Sequence, residues 1–255
     1  MDHIIGNTYT TTIGNAQIGL YITGRDTVLI DTGRGESTTM LAVLREHDLY
    51  PTAIINTHLH IDHIGSNKLL QETYGCAIYC TSEEIKDKDG NSGIVQPNPV
   101  GGPFRFIALP GHSIAHQAVV TPDGVCFLGD AVMSKGSKLP YHLDPAKAIA
   151  SMEQILRLPY SCYVLSHAGI YDSAQVRRIA EDNLRREDHF QSQILSLFDG
   201  RKIKTEKVAA LFLDSLGISR EKQDIKWVTD TAMARIRQLE DQKKLAIREG
   251  YASLV

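Results

Sequence analysis

Six consecutive residues, His58-Leu59-His60-Ile61-Asp62-His63, put three imidazoles and one carboxylate into one short stretch. Neutral imidazole and carboxylate suit zinc, and also iron, manganese or cobalt. Three more ligand-type residues recur downstream in a common setting. His112 follows Pro110-Gly111, Asp130 follows Phe127-Leu128-Gly129, and His167 lies in Val164-Leu165-Ser166-His167-Ala168-Gly169. Each stands at the end of an apolar run, next to glycine. A rigid strand aims such an end residue into a shared crevice. The pattern therefore points to metal chemistry at strand ends.

The elements that must position these residues are legible around them. Ala53 to Thr57 reads as a buried strand, and Ile64 to Tyr74 as a helix closed by Gly75. The six-residue stretch thus falls on a strand-to-helix loop, where alternating side chains converge as they would not on a regular helix. Upstream, Ile4 to Thr12, Ala16 to Thr23 and Thr27 to Ile30 read as strands, the last ending at Asp31-Thr32-Gly33. Ser37 is placed to cap a helix carrying Met40, Leu41, Val43 and Leu44. Cys76 to Cys80 is a strand, and Thr81 starts a short helix or turn. Phe104 to Leu109, Gln117 to Val120 and Val125 to Leu128 complete the strands that carry His112 and Asp130. Asp144-Pro145 opens a helix as cap residue plus first-turn proline. Two loops, 87–103 and 132–143, flank the ligand-bearing segments, and Lys135, Lys138, Tyr141 and His142 in the second are within reach of a substrate. Beyond residue 172, Ser173 opens a long helix through Phe198, Thr205 to Leu216 and Trp227 to Leu239 are two more, and Leu245 to Val255 is a hairpin turning at Glu249-Gly250.

H-x-H-x-D-H, then G-H-S, then G-D, then S-H, in that order over roughly residues 13 to 170, resembles the metallo-β-lactamase superfamily, and most of all its glyoxalase II-like hydrolases. The resemblance implies an α+β fold, an αβ/βα four-layer sandwich over residues 1–172, followed by a small, mainly helical, winged-helix-like domain over 173–255. It implies that His58, His60 and His112 hold one divalent metal ion, that Asp62, His63 and His167 hold a second, and that Asp130 bridges the two. Zinc is the first expectation, with iron or manganese as alternatives. Two such ions share a water and lower its pKa, so that hydroxide is the nucleophile, with Asp62 and Asp130 at the catalytic centre. Asp31 matches the carboxylate that orients the metal site from beneath. Tyr141 and His142 are candidates for substrate contact or proton transfer, and His116 for a structural role. The implied reaction is hydrolysis of a small carboxyl ester, thioester or lactone. Two departures weaken a glutathione-thioester substrate: Ser113 stands where threonine is usual, and Ala115 where glycine is usual, in His112-Ser113-Ile114-Ala115-His116.

Composition bounds the alternatives. The chain has 255 residues, 42% hydrophobic and 22% charged, as a globular protein does. No run is long enough for a membrane span, and the N-terminus lacks a signal-peptide pattern, so a cytoplasmic location is expected. Cys76, Cys80, Cys126 and Cys162 are scattered as buried free thiols would be. Residues 1–172 carry 11 Lys and Arg against 17 Asp and Glu, a balance of −6; residues 173–255 carry 16 against 13, a balance of +3. The front part therefore shows no basic surface for nucleic acid. The third C-terminal helix offers Arg235 and Arg237 to bases or phosphates, which keeps a metal-dependent phosphodiesterase or ribonuclease as the alternative reading. A ligand-sensing regulator is a third, and dimerisation a further role for the C-terminal part.

Overall fold

Period-two alternation builds two sheets that bury both faces. The computed structural model describes residues 1–34, 38–86, 93–134, 137–218 and 225–255. Its first sheet runs in chain order: β1 (Asp2–Ile5), β2 (Thr8–Ile13), β3 (Ala16–Thr23), β4 (Asp26–Ile30), β5 (Tyr50–Ile55), β6 (Ala77–Cys80) and β7 (Val95–Pro97). The first four strands form an antiparallel meander, and β4 to β7 are parallel. Parallel neighbours need crossovers. These are α1 (Thr38–Glu46), the pair α2 (Ile61–Ile64) and α3 (Asn67–Tyr74), and α4 (Ser82–Lys86).

The second sheet holds β8 (Arg105–Ala108), β9 (Gln117–Val120), β10 (Val125–Phe127), β11 (Cys162–Leu165) and β12 (Gly169–Asp172), with α5 (Pro145–Ile155) crossing between β10 and β11. The two sheets meet through Ile30, Ile55, Val119, Val125, Phe127 and Val164. On the far side of the first sheet, Leu29, Ile54 and Ile78 pack with Met40, Leu44 and Leu70 of α1 and α3. On the far side of the second, Val120, Cys126 and Leu165 pack with Met152 and Ile155 of α5. The layers are thus helix, sheet, sheet, helix, as expected from the sequence.

The remaining chain forms α6 (Ser173–Ser196), β13 (Ile203–Lys204), α7 (Thr205–Ser215), α8 (Ile225–Asp241), β14 (Leu245–Arg248) and β15 (Tyr251–Leu254). Glu249 and Gly250 both have positive φ, 53° and 78°, and close a two-residue hairpin between paired Arg248 and Tyr251. Helix α6 serves two cores. Val176 and Ala180 lie against the second sheet, while Phe190 and Ile194 join Phe212, Val228, Ile236 and Leu245 in a third core. Leu139, from the loop after Asp130, is buried in that third core as well. No helix among the described residues is long and apolar enough to cross a membrane.

Several local expectations need correction. The segment Ile4 to Thr12 is two strands, because Gly6 (φ 55°) and Asn7 turn the chain. The expected helix from Ile64 to Tyr74 breaks at Gly65-Ser66. Gly65 N–H donates to Gly33 O at 2.9 Å, and a Cβ at Gly65 would stand 2.5 Å from that oxygen. Close approach to the β4 loop overrides helix continuation there. Strand β7 lies inside the expected 87–103 loop; it is three residues long and ends at Pro97, which a sheet edge tolerates. The long helix is capped by Asp172, not Ser173: Asp172 accepts from Gln175 N, and the Gln175 side chain accepts from Asp172 N. Ser37 lies outside the described residues.

Candidate metal centre

Four segments converge where the two sheets end. His58 and His60 leave the end of β5, and Asp62 and His63 sit in the single turn of α2. His112 follows β8, Asp130 follows β10, and His167 lies between β11 and β12. Their side chains fall into two groups, His58/His60/His112 and Asp62/His63/Asp130/His167, with the ligand atoms of each group within 4.8 Å of one another. Asp130 faces both. Its Oδ2 lies 3.5 Å from His112 Nε2, 3.4 Å from His63 Nε2 and 3.3 Å from His167 Nε2. His60 Nδ1 is 2.9 Å from His112 Nε2, and Asp62 Oδ2 is 3.4 Å from His167 Nε2.

The other ring nitrogens are held from behind. His63 Nδ1 lies 2.8 Å from Asp31 Oδ2. His58 Nδ1 lies 3.1 Å from Thr57 Oγ1, whose hydroxyl donates to the same Asp31 oxygen at 2.8 Å. His112 Nδ1 donates to Tyr141 O at 3.0 Å, and His167 Nδ1 to Asn15 O at 2.9 Å. With Nδ1 committed as the donor, each Nε2 keeps its lone pair for a cation. Asp31 itself has φ 61° and is 2% exposed. It also accepts Thr57 N–H at 2.8 Å, so it anchors the loop as well as two rings.

This donor set fits divalent metal. His58 Nε2, His63 Nε2 and Asp130 Oδ1 are buried with no hydrogen-bond partner, a cost that folded proteins rarely leave standing. Burial, reinforced by the crowd of neighbouring imidazoles, pushes His58 well below the ordinary histidine value. Burial also lowers His112, with Asp130 opposing. His58 and His112 are therefore neutral, the form in which an imidazole can take a cation. Burial opposes charge on Asp130, yet His63, His167 and His112 together hold its carboxyl well below the usual range. Hydrogen bonds to Asp130 and Asp62 raise His167 to about 10. A metal must displace that proton to bind there.

Beneath the ligands lies fully buried His116. Burial lowers it to about 3, so it is neutral, and its Nε2 accepts the backbone N–H of Asp130 at 3.1 Å. Gly129 makes room for this: its φ is 56°, and a Cβ would stand 2.5 Å from His116 Nε2. Glu84, 4% exposed, accepts the Ser113 hydroxyl and, at 2.8 Å, Ala115 N–H, tying the His112 loop to α4.

A family profile described as the Metallo-beta-lactamase superfamily matches residues 11–101. The chain carries a metallo-β-lactamase superfamily domain. It is 33% identical over 141 residues to a hydroxyacylglutathione hydrolase of Photobacterium profundum, covering 52% of each chain. It is 31% identical over 161 residues to one of Vibrio cholerae, covering 60% of each. The chain spans about half the length of the curated relatives it matches. Among solved structures, the metallo-beta-lactamase family protein TTHA1429 from Thermus thermophilus superposes with TM-score 0.75 over 98% of this chain and 99% of that one, at 16% identity. TTHA1623, solved in a di-iron-bound form, has TM-score 0.57 and 28% identity, over 67% of this chain and 98% of that one.

At this centre His60, Asp62, His112 and Asp130 open into a cavity of about 560 Å³, which Tyr141 also lines. His142 does not reach it. It is 1% exposed and faces the other way, with Nδ1 3.2 Å from Glu187 Oε1 and 3.3 Å from Arg235 Nη2. The expectation that His142 touches substrate is therefore corrected: alternate residues of an extended loop point oppositely, so only Tyr141 faces the cavity. Arg235 is corrected too. It is fully buried and bidentate on Glu187, out of reach of any nucleic acid. Lys138 Nζ donates to Gly217 O, away from the ligands, and Lys135 lies outside the described residues.

Asp31 gives the sharpest local test. Asp31→Asn keeps the volume and loses the charge that orients two imidazoles. Metal affinity should fall by about 10–100-fold, as is usual for partners of ligating histidines. Competition with a chromophoric chelator measures it.

Proposed function

We propose that the chain is a metal-dependent hydrolase of a small carboxyl ester, thioester or lactone. The observation that carries this is the position of Asp130 Oδ2 between the two donor groups, within 3.5 Å of three imidazoles. His58, His60 and His112 would hold one divalent ion, Asp62, His63 and His167 the other, and Asp130 both. Zinc suits these N/O donors best, with iron, which TTHA1623 holds in its di-iron form, or manganese as alternatives. When bound, such a pair supplies Lewis acidity and a water of lowered pKa. The chain does the rest. Asp31 and Thr57 fix the tautomers of His63 and His58, the Tyr141 carbonyl fixes His112, and His116 holds the backbone of Asp130. Asp62, partly exposed at the cavity wall, is the carboxylate placed to accept a proton from incoming water. Ser113, beside His112, is engaged by Glu84, and Cys80 is buried beneath the loop with its thiol on Asn56 O, so neither is placed as a nucleophile.

Support for acyl rather than phosphoryl chemistry comes from two sides. The curated relatives carry the name hydroxyacylglutathione hydrolase, and Arg235 is buried where a nucleic-acid grip would need it exposed. The deciding experiment compares two substrates side by side with metal-replete protein, a small carboxyl thioester and an activated phosphodiester. Faster turnover of the thioester is expected. Preference for the phosphodiester overturns the reading and redirects it to nucleic acid.

A further inference from the structure

The cavity over the metal ligands has a second set of walls that the hydrolytic chemistry does not use. Trp227, from the start of α8, and Tyr141, from the loop after Asp130, stand with ring centroids 6.3 Å apart at 68°. Ile61, between two of the ligands, is 58% exposed and lines the same space, as do Met133 and Leu139. Single exposed apolar side chains are ordinary on a protein surface. Five apolar or aromatic residues converging on one concavity beside a polar centre are the mark of a ligand site. Arg34, in the loop after β4, lines that cavity too. It is exposed, and its guanidinium has no ion pair or hydrogen-bond partner among the described residues. A guanidinium left open in a cavity is built for a carboxylate or a similar planar anion, which it binds through paired N–H donors.

From this we infer that the substrate carries two handles besides the bond that is cut: an aromatic or bulky alkyl group that packs on Trp227 and Tyr141, and a separate anionic group, most simply a carboxylate, that pairs with Arg34. The inference rests on the hydrolase reading only for the identity of the reaction. The walls come from different parts of the chain, Arg34 and Ile61 from the first sheet's loops and Trp227 from the C-terminal helix. A molecule satisfying both therefore spans the metal centre, with its scissile group over Asp130. The C-terminal part supplies the apolar half of the recognition. A cavity of about 560 Å³ is in the range for a ligand of that size. Tyr141 also packs edge-to-face with His60 and His112, 5.6 Å between centroids in each case, so the 40% exposed ring of Trp227 beside it is the platform for one flat group.

Trp227 is the sole tryptophan of the chain, so its fluorescence reports occupancy of the cavity directly. Zinc-loaded protein is titrated with three acids: phenylsuccinate, which has both handles beyond a metal-facing carboxylate; succinate, which lacks the ring; and 3-phenylpropionate, which lacks the second carboxylate. Phenylsuccinate should bind about tenfold more tightly than either of the others, the increment of one charge-assisted hydrogen-bonded pair or one aromatic contact plus its burial. In Arg34→Met its advantage over 3-phenylpropionate should vanish while its advantage over succinate persists. In Trp227→Ala, followed by calorimetry, the reverse should hold. Equal affinities for the three acids in the wild-type protein, or an unchanged preference in Arg34→Met, overturn the inference. Binding is read without turnover, so a failed hydrolase reading leaves these affinities intact. Thioester turnover without the phenylsuccinate preference sinks only the inference.

Discussion

Asp130→Ala should lose at least about a hundredfold in turnover and most of its bound metal while the fold survives. The size follows from the number of groups that meet at this carboxylate. Replacing a partner behind a ligating histidine already costs about 10–100-fold. Asp130 Oδ2 stands directly before Nε2 of His63, His112 and His167, which reach it from α2, from the loop after β8 and from the loop after β11. Its removal takes a carboxylate from between the two donor groups and with it the negative charge that would balance bound cations. The fold survives because Asp130 lies outside every apolar core: β10 is held by Val125 and Phe127 between the sheets and by Cys126 on the outer face. His116 continues to accept the backbone N–H at position 130, which no side-chain change removes. Asp130→Asn keeps the volume and separates charge from shape; it should lose turnover to a similar extent. Metal content by mass spectrometry, turnover and far-ultraviolet circular dichroism are read on the same preparations. Turnover near the wild-type level in either variant, with metal retained, removes Asp130 from the centre.

The residues of the two donor groups were legible because each is announced locally. Histidine or aspartate beside glycine, at the end of an apolar run, is a signal carried within five or six residues. The four-layer order came from the resemblance of the motif set, while the elements that fill it were legible locally, since β9 and β10 are largely apolar and buried on both faces and α1, α3 and α5 show helical spacing. What supports the ligands was much harder to read. Thr57 looks like the last residue of a strand, and only the fold shows its hydroxyl linking His58 to Asp31. Glu84 sits in a short helix and has no motif, yet it fixes the loop of His112. Trp227 carried a faint signal: it lies off the stripe of Val228, Ala232, Ile236 and Leu239 that fills the third core, so its ring had to face elsewhere. Where it faces depends on how α8 docks, which is a long-range matter. Arg235 illustrates the failure most clearly. Seven residues after Val228 and four before Leu239, it shares their buried helix face, yet a charged side chain there was read as exposed because its partner Glu187 is 48 residues away on another helix.

That buried pair carries the other large effect. Arg235 is fully buried and Glu187 is 1% exposed; the guanidinium donates to both carboxylate oxygens, to Pro140 O at 3.3 Å and to Thr231 O at 3.2 Å. Phe190 lies beneath it, 5.2 Å from ring centroid to the guanidinium carbon. Burial opposes the charge on Glu187, but Arg235 and the His142 hydrogen bond outweigh it and hold the carboxyl at about 2. Removing one partner leaves the other charged and buried, so Arg235→Met and Glu187→Gln should each cost about 3–5 kcal/mol. That corresponds to a Tm lower by roughly 10 °C or more for a chain of this size. The double variant leaves no orphan charge and should be more stable than the two single losses summed. The sign with pH follows from the depressed carboxyl. Its contribution is fully present above the ordinary glutamate value and is lost as pH falls from about 4.5 toward 2, so the Tm gap between wild type and Glu187→Gln should narrow over that range. The pair also reaches the metal ligands. Arg235 holds Pro140 O, and the next carbonyl, that of Tyr141, accepts the Nδ1 proton of His112. Arg235→Met should therefore weaken metal binding by about tenfold at temperatures where it is still folded. Phe212→Ala, in the same third core but with a side chain that makes no hydrogen bond to the 139–143 loop, provides the control: it should lower Tm comparably and leave metal affinity unchanged. Equal metal affinities in Arg235→Met and Phe212→Ala would confine Arg235 to stability. A selective loss in Arg235→Met makes the C-terminal helices part of the scaffold that aims His112.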